Sequence, residues 1–139
     1  MASQVIHYPG DDLAILTWTG PFDIDECRQA FSVYLLKPAA ADIIDIRRLY
    51  VTTIRAMDLF QLSRLLRSIS MSGTYTPGKT AVVAPNGETL AASAVYRECC
   101  HLIAWAEANQ VTRKLGLFHT IEAARDWLGV RSISERSLV

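Results

Sequence analysis

The chain has 139 residues and a mass of 15.4 kDa, carries 14 basic and 14 acidic residues, and is 50% hydrophobic and 20% charged. Zero net charge leaves no overall field to draw it onto nucleic acid or an anionic membrane, and the apolar content separates it from disordered chains. The size suits one domain with a full core, expected over residues 1–130, with a polar tail at 131–139.

Along the chain, Gln4–Tyr8 reads as a short strand and Pro9-Gly10-Asp11-Asp12 as a turn. Leu13–Trp18 is apolar at both alternating positions, the pattern of a strand covered on both faces, and Thr19-Gly20-Pro21 ends it. Asp23 stands as an N-cap with Glu26 in capping-box position. The helix it opens is expected to reach about Lys37, with Cys27, Phe31 and Tyr34 along one side and Pro38 as the stop. Ile43–Ile46 is the next buried strand. From about Ile54 to Met71, Leu62, Leu65, Leu66 and Ile69 recur at helical spacing, with Gly73 as the C′ residue. Thr80–Ala84 is a further apolar strand, Glu88–Asn109 a long helix, and Arg113–Phe118 the last strand. Thr120 caps a final helix that Gly129 ends. The order β-β-α-β-α-β-α-β-α predicts an α/β fold: a mixed, largely parallel five-stranded sheet with helices on both faces, the two opening strands being antiparallel neighbours.

Known catalytic signatures are missing. There is no G-x-S-x-G, P-loop, G-x-G-x-x-G or H-E-x-x-H, and the turn Gly73–Gly78 has too few glycines to cradle a phosphate. Glu98-Cys99-Cys100-His101 is rich in ligand types, but successive helix side chains diverge by about 100°, whereas facing ligands need a spacing of three or four. Cys99 continues the apolar stripe; Cys100, His7 and His119 are the remaining nucleophile or acid–base candidates, with no motif tying them together. An odd cysteine count with two adjacent members is not a disulfide framework. The N-terminus lacks the parts of a signal peptide and no apolar run approaches the ~18 residues of a membrane span, so a cytoplasmic protein is expected. No metal or other cofactor is expected either.

The segment Val51–Ala56, VTTIRA, joins a strand end to a helix start, where α/β proteins often place function. Arg47, Arg48 and Arg55 flank that helix start, and a helix N-terminus with guanidinium groups beside it forms an anion pocket. The competing reading is that the arginines are solvated or pair with Asp45, Asp58 or Glu88; Asp45 and Arg47 share a face by the two-residue strand period. Thr52 and Thr53 are hydroxyls in the same turn, and helix capping accounts for them without chemistry. Tyr96, His101, Trp105 and Trp127 form either a sticky outer face or the closure of the core.

The element order and the closing stretch Leu117–Gly129, LFHTIEAARDWLG, resemble the SpoIIAA-like proteins of the STAS/SEC14-like group, whose ending has the form F-x-T-x-E-A-x-x-W-L-G. Phe118, Thr120, Glu122, Ala123, Trp127, Leu128 and Gly129 carry the resemblance, which spans about Leu13 to Gly129. It implies a regulatory module that binds a partner through the segment after the third strand, where such proteins carry a D-S-S-G phosphorylation switch. Here those positions fall near Thr53, Ile54, Arg55 and Ala56, so the switch serine and the glycine are missing. The resulting expectation is a non-enzymatic module that binds a protein partner or itself, using Arg47, Arg48, Thr52, Thr53, Arg55 and Tyr96. A mean hydropathy of +0.17 is high for so small a domain and agrees with an apolar surface left for a partner or a second copy. The SEC14-like side of the resemblance implies an alternative, a carrier of an apolar or anionic small molecule.

Overall fold

A computed structural model describes residues 1–72, 77–86 and 89–130. Nine elements follow in the expected order: β1 (Ala2–Tyr8), β2 (Leu13–Gly20), α1 (Ile24–Tyr34), β3 (Ala41–Leu49), α2 (Ala56–Met71), β4 (Gly78–Val83), α3 (Leu90–Ala108), β5 (Arg113–Phe118) and α4 (Ile121–Leu128). Single 3-10 turns lie at Pro9–Asp11 and Val51–Thr53. The five strands form one sheet in the order β1-β2-β3-β4-β5, with β1 antiparallel to β2 and the other pairs parallel.

Strand order that follows chain order fixes where the helices go. Each crossover from β2 to β5 is a right-handed step in the same direction, so α1, α2 and α3 share one face of the sheet. Their side chains Phe31, Leu62, Leu66 and Val95 pack with Leu16, Trp18, Ile44 and Ile46. Among the described residues, α4 alone covers the other face, where Ala124, Ile121 and Trp127 meet Leu13, Ile43, Ala81 and Val83. The alternating apolar residues of β2 and β3 are therefore split between two cores, which is why both faces of these strands are apolar.

Several boundaries differ from the sequence expectation. α1 stops at Tyr34, short of Lys37, because the backbone tightens into i→i−3 bonds: Leu36 N–H donates to Val33 O at 3.3 Å and Lys37 N–H to Tyr34 O at 3.1 Å. Its cap is made by Asp23 Oδ1 accepting from Asp25 N–H at 2.9 Å, and Glu26 takes no part. β3 runs on to Leu49 through a bulge: Thr17 pairs with Asp45 but Thr19 with Arg48, so Ile46 and Arg47 together oppose Trp18. The extra residue returns Leu49 to the core of Ile44 and Ile46, which strict alternation would forbid. α2 starts at Ala56, two residues later than expected. Gly73, Gly87, Glu88 and the tail 131–139 lie outside the described residues. Among the described residues, no helix is long and apolar enough to cross a membrane.

At the amino-terminal ends of the parallel strands, one polar cluster is buried. Asp42 and Arg113 have side chains 0% and 3% exposed and are joined at 3.0 Å. Arg113 also donates to Thr80 Oγ1 at 2.7 Å and to the Ala39 carbonyl at 2.8 Å. Tyr34 donates its hydroxyl to Asp42 at 2.8 Å and accepts from Ala39 N–H at 3.0 Å. Burial, reinforced by the Asp42 charge, pushes the Tyr34 phenol well above its ordinary pKa, so it stays a neutral donor. This cluster ties α1, β3, β4 and β5 together at the edge opposite the VTTIRA turn.

Candidate functional site

The VTTIRA turn follows β3 at the carboxyl edge of the sheet, and its hydrogen bonds explain its sequence. Val51–Thr53 forms one 3-10 turn, in which Thr53 N–H donates to Tyr50 O at 2.8 Å. The Thr53 hydroxyl donates to the same carbonyl at 2.6 Å and accepts from Phe22 N–H at 3.3 Å. Thr53 thus pins the turn to the loop before α1 and caps no helix. Ile54 is extended, with φ −81° and ψ 121°, and packs into the core under α1–α3. The α2 cap is Asp58, whose carboxylate accepts from Arg55 N–H at 2.9 Å. It is the N3 half of a capping box, and its charge sits against the positive end of the helix dipole.

This cap bears on the anion reading. The turn faces the start of α1 across a cleft of about 380 Å³ lined by Met1, Phe22, Asp23, Thr53, Arg55 and Asp58. Two helix N-termini meet there, and each is already served by a carboxylate of the chain, Asp23 and Asp58. Arg55 lies 3.5 Å from Asp58 with its side chain 82% exposed. Arg47 is elsewhere: it holds Asp45 through its backbone N–H at 3.1 Å and its guanidinium at 3.0 and 2.9 Å. The expected pairing of Asp45 with Arg47 is thus present. Arg48 and Thr52 are exposed. Tyr96, on α3, stacks on His119 with ring centroids 5.4 Å apart, and His119 Nδ1 lies 3.1 Å from the Ala84 carbonyl. Of the expected site residues, the structure brings only Thr53 and Arg55 to a common cleft.

The Asp45 carboxyl is pulled two ways. Burial works against its charge, but the hydrogen bonds and positive charge of Arg47, with Arg48 adding to them, win and hold it below its ordinary 3.8. A depressed folded-state pKa stabilises above the unfolded value and loses that contribution as the pH falls through the folded one. Asp45→Asn should therefore be less stable than the parent at neutral pH, and the gap should close as urea midpoints are followed below pH 3.8. A gap that is constant with pH would show the ion pair to be irrelevant.

Two of the cysteines are screened from chemistry. Burial pushes the thiols of Cys27 and Cys99 up to about 12, so neither supplies a thiolate near neutrality. Cys100 is exposed beside His101, which faces Glu98 at 3.8 Å. Among the described residues, no three His, Cys, Asp or Glu side chains converge in a way that could hold a metal. Trp105 is covered by the Arg67 guanidinium at 5.4 Å, and Trp127 packs on Phe118 with Lys79 over its ring at 5.2 Å.

What the sequence reading missed is the outward side of α2. Met57, Phe60 and Met71 are 60%, 57% and 62% exposed. With Arg64 and Ser68 they lie within about 80° of one another around the helix. Inwardly the helix is loosely seated: Asp58 is its one buried residue, and Leu62, Leu65, Leu66 and Ile69 are only partly buried. The legible signal was Met57 and Phe60 at i and i+3, off the stripe of leucines. The chain matches no protein-family model and no curated protein.

Proposed function

We propose that the chain is a non-enzymatic interaction module of SpoIIAA/STAS type that binds a protein partner, another chain or its own copy, through the outer face of α2 beside the VTTIRA turn. The observation that carries this reading is the exposed line Met57–Phe60–Arg64–Met71. A solvated helix turns mainly charged and polar residues to water, as α1 does with Asp25, Arg28, Gln29 and Ser32, where Val33 is the single exposed apolar residue. Of the five residues on that side of α2, Met57, Phe60, Arg64, Ser68 and Met71, three are apolar, and Arg64 lies over the Phe60 ring at 5.8 Å. Methionine, aromatic and arginine side chains together are the composition of an interface core. Tyr50, 60% exposed, extends apolar surface to the turn itself.

Two further features support a binding role over catalysis. The strand order never reverses, so the sheet lacks the switch-point crevice where open α/β sheets hold substrates. The turn that carries a switch serine in SpoIIAA-like proteins has Ile54 packed inward and the Thr53 hydroxyl committed to two backbone partners.

The test is Phe60→Glu. Self-association is read by sedimentation, and partner binding by crosslinking in the host from a photoreactive residue at position 57. Truncating a central aromatic anchor costs binding about 2 kcal/mol or more, roughly thirtyfold, whereas stability should hold to within about 0.5 kcal/mol because the site is exposed. If sedimentation and crosslinks are both unaltered by Phe60→Glu, the α2 face is not the interface.

A further inference from the structure

The two ends of the sheet are finished differently. β1 and β5 are its edge strands, and each turns the backbone N–H and C=O groups of alternate residues away from the sheet. Such edges are normally guarded by charge, proline, a bulge or shortness. β5 carries the exposed Lys114. β1 has no such guard. Its seven residues, ASQVIHY, include no Asp, Glu, Lys, Arg or Pro, and it pairs with β2 residue for residue from Ala2–Thr19 to Tyr8–Leu13 without a bulge.

The flanks of this edge are apolar. Ile6 pairs with Ile15 and so lies on the α4 side of the sheet, but α4 packs on β4 and β5, at the far end, and Ile6 is left 41% exposed. On the other side, Val5 is partly buried against the core under α1. There α1, which packs on β1, presents Val33, 64% exposed. Val33 lies about 180° around α1 from Ile24, which lines the cleft at the start of α2, so it stands on the flank toward β1.

We propose that β1 is the interface of a two-fold dimer, in which it pairs antiparallel with β1 of a second copy and joins the two five-stranded sheets into one. Full overlap of the seven residues places Val5 opposite the partner's Val5 and Gln4 opposite the partner's Ile6, with the two Ile6 side chains diagonal neighbours on one face. A second copy suits this edge because an uncharged strand meets itself without the like-charge repulsion that a two-fold pair would otherwise impose. The extent is sufficient. About 24 Å of strand with a packed layer about 10 Å deep on each face covers roughly 500 Å² per copy. The total of about 1,000 Å² is the lower bound for a specific interface, so the dimer is reversible. It is also closed, because the pairing uses up the unguarded edge. α1 lies between this edge and α2, so the pairing does not depend on what the outer face of α2 binds.

The test is sedimentation equilibrium of the full chain up to millimolar concentration, with amide hydrogen exchange at the two ends of that range. A monomer–dimer equilibrium is expected, in which the outward amides of β1 exchange roughly tenfold more slowly at high concentration than at low. Ile6→Lys should raise the dissociation constant roughly thirtyfold, the effect of losing a central interface residue. Gln4→Lys, at a second exposed position on the same face, should also weaken the dimer. An equimolar mixture of Ile6→Lys and Ile6→Glu should recover it, because the two side chains are diagonal neighbours. Phe60→Glu should leave it intact, so that this edge and the α2 face are read apart. A monomer at every concentration would overturn the proposal. So would a dimer that leaves the β1 amides unprotected, or one that tolerates both lysine variants.

Discussion

Arg113→Ala is expected to lower unfolding stability by about 3–5 kcal/mol, the cost of leaving one member of a buried ion pair without its partner. The side chains are 3% and 0% exposed, so solvent cannot replace the lost guanidinium beside Asp42. The change also removes the donors to Thr80 and to the Ala39 carbonyl. Equilibrium urea denaturation measures it. Replacing both charges, Arg113→Met with Asp42→Leu, should recover part of the loss, because an apolar pair of similar volume carries no desolvation penalty. A loss below about 1 kcal/mol for the single variant, the range of exposed pairs, would show that the cluster is effectively solvated.

The second large effect is expected at Gly78. An added Cβ there would collide with the backbone carbonyl oxygen of Ala40, lie 2.9 Å from its carbon and come within 3.1 Å of the Arg113 guanidinium. Ala40 O is also the acceptor for Lys79 N–H at 3.0 Å, the bond that starts the β3–β4 ladder. Backbone cannot swing aside as a side chain can, so Gly78→Ala should cost about 3 kcal/mol, at the upper end of overpacking. Gly129 is the control: at φ 75° with nothing within 4 Å of an added Cβ, it meets left-handed strain alone. Gly129→Ala should cost about 1 kcal/mol. Equal midpoints for the two variants would refute the collision at Gly78.

The elements were legible where periodicity carries the information. Apolar runs at Leu13–Trp18 and Ile43–Ile46 and the leucine spacing of α2 all report local geometry and burial. The start of α2 was misplaced because Thr52 and Thr53 look like caps. Asp58, three residues after Arg55, was the available signal for the true start, since an acidic N3 residue caps the backbone reciprocally. The β3 bulge hid its last residues, because an adjacent arginine pair breaks alternation. The Asp42–Arg113 pair could not be read at all: each residue looks like an ordinary surface charge at a strand start, and only the sheet brings them together.

The arrangement of strands in chain order has a consequence for how the molecule can be assembled. Each new strand joins the current rim beside its immediate predecessor, so a growing polypeptide never has to hold a slot open for a segment not yet made. Arg113 opens the fifth strand and reaches back across the fourth to Ala39 and Asp42. It is therefore a latch thrown when the final ribbon arrives, fastening the end of the chain to the start of the third strand across the one between them.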